Sequence, residues 1–279
     1  DVTTGIQNTI MGGLAGDALT DADNNVALGY SAMTTNVLGS ESVAIGTFAL
    51  NNQNPATAVN MYNVAVGHNT GAAVTTGIKN TFVGGLAGDA STTASENVAV
   101  GYDSLGTNIL GSHSVAVGPS ALRTQNYGTA TNAYNTAVGS FAGYAVSTGV
   151  QNTFIGGDAG KAVTTGVENI LIGMGAGDTL TDADYNVAIG ATALTSDTLG
   201  SRSVAIGQEA LSAQNFTTAT DTYNTAVGFV AGKAVTTGTN NTLIGGLTGD
   251  ALTTGSGNTL LGSGAGGAET TGANNVIIG

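Results

Sequence analysis

The 279-residue sequence contains no cysteine and no tryptophan, only two prolines, and only 8% charged residues. Without cysteine there can be no disulfide framework, thiolate metal site or cysteine nucleophile. Only five residues are basic against 18 acidic ones, which gives a net charge of −13, and the basic residues lie far apart: Lys79, Arg123, Lys161, Arg202 and Lys233. Binding to nucleic-acid phosphates relies on clustered positive charge, so we expect no nucleic-acid partner.

Long apolar runs are also missing. No stretch approaches the roughly 20 apolar residues that a membrane-spanning helix requires, so we expect no membrane insertion in this segment. Apolar residues nevertheless make up 41% of the chain, and glycine contributes 45 residues. This composition differs from that of a disordered chain, which is rich in charge and poor in apolar residues, and it predicts a buried core.

The sequence does contain a repeat. A pentapeptide such as Asn186-Val187-Ala188-Ile189-Gly190 occurs sixteen times, and its closing glycines are Gly12, Gly29, Gly46, Gly67, Gly84, Gly101, Gly118, Gly139, Gly156, Gly173, Gly190, Gly207, Gly228, Gly245, Gly262 and Gly279. Successive glycines are 17 residues apart, except for three intervals of 21 that begin at Gly46, Gly118 and Gly207. This regularity predicts one repeat array over residues 1–279, and we expect the array to be part of a longer fibrous protein.

The pentapeptide has the pattern of a β-strand. Its first residue is asparagine, or serine in three copies, its second is threonine, valine or isoleucine, and its fourth is always apolar. Apolar residues at every second position predict a strand, and stacked asparagines favour a ladder along the array. A period of 17 residues is too short for a βαβ unit, which needs about 30. We therefore predict an all-β fold, a parallel β-solenoid of 17-residue coils with three 21-residue coils.

The third position of the pentapeptide is apolar as well. It is alanine in nine copies, and in the other seven it is Ile10, Phe82, Phe154, Leu171, Leu243, Leu260 or Ile277. Both faces of the strand are therefore apolar, and a half-solvated strand would have one polar face. We expect one face to pack inside the coil and the other against a second chain, and we assign these seven residues to a trimer interface or core.

The three long coils carry their four extra residues in similar segments, 51–61, 123–133 and 212–222, each followed by a tyrosine. An insertion that leaves the flanking pentapeptides intact is expected to bulge outwards. We predict surface contacts at Asn51, Tyr62, Arg123, Tyr127, Tyr134, Phe216 and Tyr223.

Few residues suggest a chemical site. Asp21 with Asp23, and Asp182 with Asp184, are weak candidates for an ion site, although an EF-hand is rejected because Val26 and Ala32 stand where the loop needs glycine and glutamate. The G-x-G-x-x-G match at 262–267 arises from repeat glycines, with no helix pattern after it. We expect no catalytic residue, no cofactor and no enzymatic activity.

Thr-Thr-Gly corners recur in many coils, as at 164–166 and 236–238. Threonines stacked in register on a flat face form the regular array found in ice-binding solenoids. Ice binding is therefore an alternative function, although coils of the other type interrupt the array.

Three pentapeptides beginning at Ser42, Ser114 and Ser203 resemble the head repeats of YadA-type trimeric autotransporter adhesins. Copies such as Asn135–Gly139, with the Ala-Gly and Ser-Thr-Gly that follow, are similar to repeats in phage tail fibres. The resemblance implies a left-handed parallel β-roll, a homotrimer, and attachment to a host cell or matrix through an unspecified receptor. It places the chain outside the cell, on a bacterial surface or a virion fibre.

Overall fold

The computed structural model describes residues 2–279. The chain divides into two compact units, Asp1–Ser140 and Phe141–Gly279. Both units consist of short strands and turns, and no helix occurs among the described residues, so none there could cross a membrane. Each of the sixteen repeats contributes one three-residue strand, and within each unit these strands pair in parallel. This confirms an all-β parallel β-solenoid of about 16 turns.

The first unit contains twelve strands: β1 (Thr9–Met11), β2 (Val26–Leu28), β3 (Gly39–Ser40), β4 (Val43–Ile45), β5 (Val59–Asn60), β6 (Val64–Val66), β7 (Thr81–Val83), β8 (Val98–Val100), β9 (Gly111–Ser112), β10 (Val115–Val117), β11 (Thr131–Asn132) and β12 (Thr136–Val138). The second unit contains ten: β13 (Thr153–Ile155), β14 (Ile170–Ile172), β15 (Val187–Ile189), β16 (Gly200–Ser201), β17 (Val204–Ile206), β18 (Thr220–Asp221), β19 (Thr225–Val227), β20 (Thr242–Ile244), β21 (Thr259–Leu261) and β22 (Val276–Ile278).

Each three-residue strand is the centre of one pentapeptide, and within each unit it pairs in parallel with the neighbouring copies. Thr9 pairs with Val26 across an ordinary interval, and Val43 pairs with Val64 across a long one. The two-residue strands appear only beside the long coils, where β3 pairs with β5, β9 with β11 and β16 with β18. The inserted residues therefore add a second short parallel pair without disturbing the register of the main strands.

The third-position side chains point into the coil. Phe82, Phe154, Leu171 and Leu243 are fully buried, and Leu260 is nearly so. Ile10 and Ile277, in β1 and β22, are part-exposed. For the five buried residues the predicted trimer interface is wrong, because their own chain encloses them, and the core alternative holds; for Ile10 and Ile277 the interface remains a prediction.

The outward face of the main strands is formed by the second and fourth positions. Their side chains are half-buried or exposed in every copy, for example Ile45 and Ile244, with 38% and 39% exposed. The residues on this face are valine, isoleucine, leucine, methionine or threonine, and none is charged. An uncovered apolar face therefore exists, but it is formed by the second and fourth positions and not by the third position, where the interface was predicted.

The volume of the core is shared between the third position and the residue four positions after the closing glycine. A bulky third residue is accompanied by glycine at the later position, as for Phe82 with Gly88, whose added Cβ would lie 2.7 Å from the phenylalanine ring. In six of the nine copies with alanine at the third position, the later residue is a buried leucine or methionine, as for Ala99 with Leu105; in the other three it is glycine. Leucine or methionine takes this place in six coils, with φ between 46° and 54°: Met33, Leu50, Leu105, Leu122, Leu194 and Leu211.

Buried first-position asparagines form the predicted ladder. The Asn97 N–H donates to Asn80 Oδ1 at 3.0 Å, and Asn80 Nδ2 donates to the Ala94 carbonyl at 2.9 Å. The same pair of bonds recurs at Asn169 and Asn241. Each asparagine therefore satisfies backbone groups of its own coil and the next.

Candidate functional site

Each long coil is organised around a buried glutamine: Gln53, Gln125 or Gln214. Gln53 Nε2 donates to Ser42 Oγ at 3.2 Å, and its Oε1 accepts from Asn63 Nδ2 at 3.0 Å. Gln125 and Gln214 make the matching contacts. The glutamine thus fills the gap that a serine leaves in the asparagine ladder, which explains why the three serine copies begin the three long coils.

Each inserted segment contains one buried ring-bearing side chain, two residues after the buried glutamine. Tyr127 and Phe216 are only 6% and 7% exposed, and Pro55 is buried at the matching place in the first long coil. A Cβ on Gly111 would lie 2.8 Å from the Tyr127 ring, so this glycine allows the ring to approach the backbone. The prediction that Tyr127 and Phe216 are surface contacts is wrong, because the widened coil needs an apolar side chain to fill it.

The desolvation of Tyr127 raises the pKa of its phenol, although a hydrogen bond from Asn135 acts in the opposite direction.

Two other predicted contact residues tie their bulge to the preceding coil. Asn51 is half-buried and its Nδ2 donates to the Ser31 carbonyl at 3.1 Å. Arg123 is partly exposed and forms an ion pair with Asp103. Both side chains therefore connect a long coil to the coil before it.

The tyrosines that follow the insertions are exposed. Tyr62, Tyr134 and Tyr223 have 50%, 53% and 54% of their surface accessible. Each directly precedes a pentapeptide, at a position that we call the turn column and define as the residue before each first-position asparagine or serine. In each unit these tyrosines therefore lie at the edge of the outward strand face.

The turn column is conformationally uniform and chemically varied. Fifteen of its members adopt a left-handed backbone with φ between 51° and 63°, and the sixteenth is Gly257. Its members are Gln7, Asn24, Glu41, Tyr62, Lys79, Glu96, His113 and Tyr134 in the first unit, and Gln151, Glu168, Tyr185, Arg202, Tyr223, Asn240, Gly257 and Asn274 in the second. A left-handed residue with a Cβ is disfavoured by roughly 1–2 kcal/mol, so the surrounding bonds must hold it in place.

In each long coil, a polar residue of the inserted strand lies two residues before the exposed tyrosine. In the first long coil, Asn60 Nδ2 donates to Glu41 Oε1 at 3.0 Å and to the Tyr62 hydroxyl at 3.1 Å. We call these three residues the Tyr62 cluster.

The Tyr134 cluster consists of His113, Asn132 and Tyr134. The His113 and Tyr134 rings stack with centroids 5.1 Å apart and planes 12° apart. The Glu96 carboxylate lies 3.2 Å from His113 Nδ1 and 3.2 Å from Lys79 Nζ, which extends the contact along the column.

The Tyr223 cluster consists of Arg202, Asp221 and Tyr223. Arg202 Nε lies 3.0 Å from Asp221 Oδ1, and the Tyr223 hydroxyl donates to Asp221 Oδ2 at 3.2 Å. The Asp221 hydrogen bond and charge raise the pKa of the Arg202 guanidinium, which also lies 4.7 Å from the Tyr185 ring centroid.

The four aspartates considered for an ion site bond across coils instead. Asp21, Asp23, Asp182 and Asp184 each accept from the preceding coil, the donors being the Thr4 hydroxyl, the Ile6 N–H, the Thr165 hydroxyl and the Val167 N–H. No group of three or more histidine, aspartate or glutamate side chains within residues 2–279 could hold a metal ion. The structure thus gives these carboxylates a role in coil stacking.

The threonine corners divide into an engaged and an exposed column. The first threonine donates its hydroxyl to a carbonyl of the next coil, as Thr164 does to Thr181 at 3.2 Å and Thr236 to Thr253 at 3.3 Å. The second threonine is exposed, and its longest uninterrupted run in the second unit is Thr237, Thr254 and Thr271.

Sequence reasoning missed the turn column and its clusters. The available signal was the residue before each pentapeptide, which includes four tyrosines and three of the seven residues that are lysine, arginine or histidine. The repeat pattern does not reveal this column, because the column repeats a backbone conformation and not a residue type.

No family model, curated protein or solved structure matches this chain.

Proposed function

We propose that the chain is a non-enzymatic structural and adhesive fibre segment, a trimeric β-solenoid that attaches to a host cell or matrix from a bacterial surface or a virion fibre. Its coils are proposed to be left-handed, with 17 residues in the basic coil and 21 in the three long ones. A phage tail fibre and a bacterial adhesin would both use the segment for attachment, and the two would differ in the domains on either side of it.

The uncharged outward strand face carries the proposal. In each unit it holds the second and fourth positions of the pentapeptides, and residues such as Ile45 and Val138 in the first unit and Ile155 in the second are 38% or 39% exposed there. Contiguous apolar surface of this kind marks an association site. In a chain with a net charge of −13, this is also the face on which identical copies approach without direct charge repulsion.

Light scattering coupled to size-exclusion chromatography tests the assembly. We expect the chain to elute with three times its monomer mass, and Ile189→Lys/Ile206→Lys to reduce the mass by placing two charges on the outward face. The matched control, Thr237→Lys/Thr254→Lys, places the same charges on the exposed corner and should remain trimeric. A monomeric parent chain would contradict the proposal.

Adhesion is measured with beads that carry the chain, on bacterial cells and on films of extracellular matrix. Deleting residues 56–59, 128–131 and 217–220, most of which are exposed, should leave the main strands paired and weaken attachment. Unchanged attachment would show that the bulges are not the contact surface.

Ice binding is the second candidate, favoured by the exposed run Thr237, Thr254 and Thr271. It predicts thermal hysteresis and shaped ice crystals, both lost in Thr254→Lys. A parent chain with neither property would eliminate this candidate.

A further inference from the structure

The three tyrosine clusters repeat one arrangement with different polar partners. In each, an exposed tyrosine follows an Asn or Asp of the inserted strand by two residues, namely Asn60, Asn132 or Asp221. The turn-column residue of the preceding coil contacts one of the two: Glu41 bonds to Asn60, His113 stacks on Tyr134 and Arg202 pairs with Asp221. In the Tyr62 and Tyr223 clusters, the inserted residue bonds both to the tyrosine hydroxyl and to the turn-column residue of the preceding coil.

The clusters are held in place before any partner binds. The left-handed backbone at Tyr62, Tyr134 and Tyr223, with φ of 54°, 52° and 51°, fixes the direction of each side chain. The bonds from Asn60 to Glu41 and from Tyr223 to Asp221 restrict the neighbouring groups. Binding to such a surface avoids much of the entropic cost of ordering flexible side chains.

The shape of the surface favours an extended partner. No pocket forms within residues 2–279, and small ligands generally require a concave site. In the first unit, Tyr62 and Tyr134 lie four coils apart, which is about 19 Å at the spacing of neighbouring strands. A chain with repeating units can contact both clusters, and its affinity gains from linking two weak sites.

The chemistry favours a hydroxyl-rich, uncharged partner. A tyrosine offers an apolar ring face together with a hydroxyl, and the Asn, Asp, Glu and Arg side chains beside it supply planar hydrogen-bond donors and acceptors. The basic side chains in or next to the clusters, Lys79, His113 and Arg202, are already paired with Glu96 or Asp221. A polyanion would be repelled by the remaining negative charge of the chain.

We propose that the Tyr62, Tyr134 and Tyr223 clusters are subsites for an uncharged linear polysaccharide. This inference rests on the proposed attachment function and names the class of surface molecule that is bound.

Affinity electrophoresis tests the proposal in native gels that contain dextran, mannan, galactomannan or amylose, with alginate as a polyanionic comparison. The test variant is Tyr62→Asn/Tyr134→Asn/Tyr223→Asn. Asparagine suits the left-handed position, because Asn24, Asn240 and Asn274 occupy the same column. The control is Tyr30→Asn/Tyr102→Asn, which removes two tyrosines that are 51% and 61% exposed and lie outside the clusters.

We expect at least one neutral polysaccharide to retard the parent chain and the control, and the triple variant to bind it at least tenfold more weakly. The polysaccharide proposal is overturned if no neutral polysaccharide retards the chain, if only alginate does, or if the control loses as much as the triple variant.

A cell-binding arm separates this proposal from the attachment function itself. Periodate oxidation of the target cells should abolish binding of the chain, and protease treatment should leave it. The opposite result would retain attachment and identify a protein partner instead.

Discussion

At the scale of single residues, the core depends on matched pairs. Phe82→Ala should lower the free energy of unfolding by about 3–5 kcal/mol, because the narrow coil cannot collapse around the cavity. Phe82→Ala/Gly88→Leu should recover part of this loss, since Gly88 has φ 57° and six coils hold leucine or methionine there with a similar backbone. Denaturant unfolding monitored by circular dichroism measures both changes.

Phe82→Leu is the matched control, because Leu171 and Leu243 occupy the same position. Phe82→Leu should lower the free energy of unfolding by less than about 1.5 kcal/mol, as exchanges between apolar residues of similar volume usually do. If the double variant were less stable than Phe82→Ala alone, the pairing of the two positions would be refuted.

The buried phenol of Tyr127 makes the stability of the first unit sensitive to alkali. Its pKa is raised in the folded chain, whereas the unfolded chain releases the proton near the ordinary tyrosine pKa of about 10. The unfolded state therefore binds fewer protons above that pH, and the free energy of unfolding falls as pH rises.

Tyr127→Phe should remove this alkaline loss at a cost of about 1 kcal/mol at neutral pH, from the hydrogen bond with Asn135. Phe216 shows that phenylalanine is accommodated at the equivalent position. Unfolding curves at pH 7 and above pH 10 provide the comparison, and parallel pH profiles for parent and variant would contradict the assignment.

At the scale of the strand, the asparagine ladder links each coil to the next. Asn80→Ala should destabilise the chain by about 2–4 kcal/mol, because the buried Asn97 N–H and Ala94 carbonyl each lose a partner. Asn52→Ala, at an exposed site, is the control and should change stability by less than about 0.5 kcal/mol. Equal effects of the two substitutions on the thermal midpoint would show that the ladder contributes little.

The strands themselves were predictable from the sequence, but their orientation was not. Alternation at the second and fourth positions of Val43–Ile45 predicts a strand, and the constant interval predicts parallel stacking. Both faces are apolar, so alternation alone cannot say which one faces inward. The exchange of bulk between positions such as Phe82 and Gly88 contains that information, because only residues that share one interior need to compensate for each other.

For the long coils, too, the sequence predicts the element but not which of its side chains face inward. An insertion of four residues predicts a bulge, and Tyr62, Tyr134 and Tyr223 are indeed exposed. Burial of Tyr127 and Phe216 was not predicted, because a longer coil also has a larger interior to fill. The serines at 42, 114 and 203 were a usable signal, since each marks the place where a glutamine enters the ladder.

At the scale of the whole molecule, repeat stacking predicts tolerance to the loss of a complete coil. Deleting residues 170–186 joins Asn169 to Val187 and retains the pentapeptide interval, so the second unit should still fold with a modestly lower stability. Deleting only residues 170–178 breaks the interval and should abolish cooperative unfolding of that unit. Circular dichroism and limited proteolysis distinguish the two, and equal damage from both deletions would contradict nearest-neighbour stacking.

In the turn column, the backbone conformation is constant, whereas the exposed side chains vary. Its members include glutamine, glutamate, lysine, histidine, arginine and tyrosine, all with the same left-handed backbone. Folding therefore constrains these positions by conformation and only weakly by side-chain identity. A protein built in this way can exchange the side chains that it displays along this column and still form the same coils.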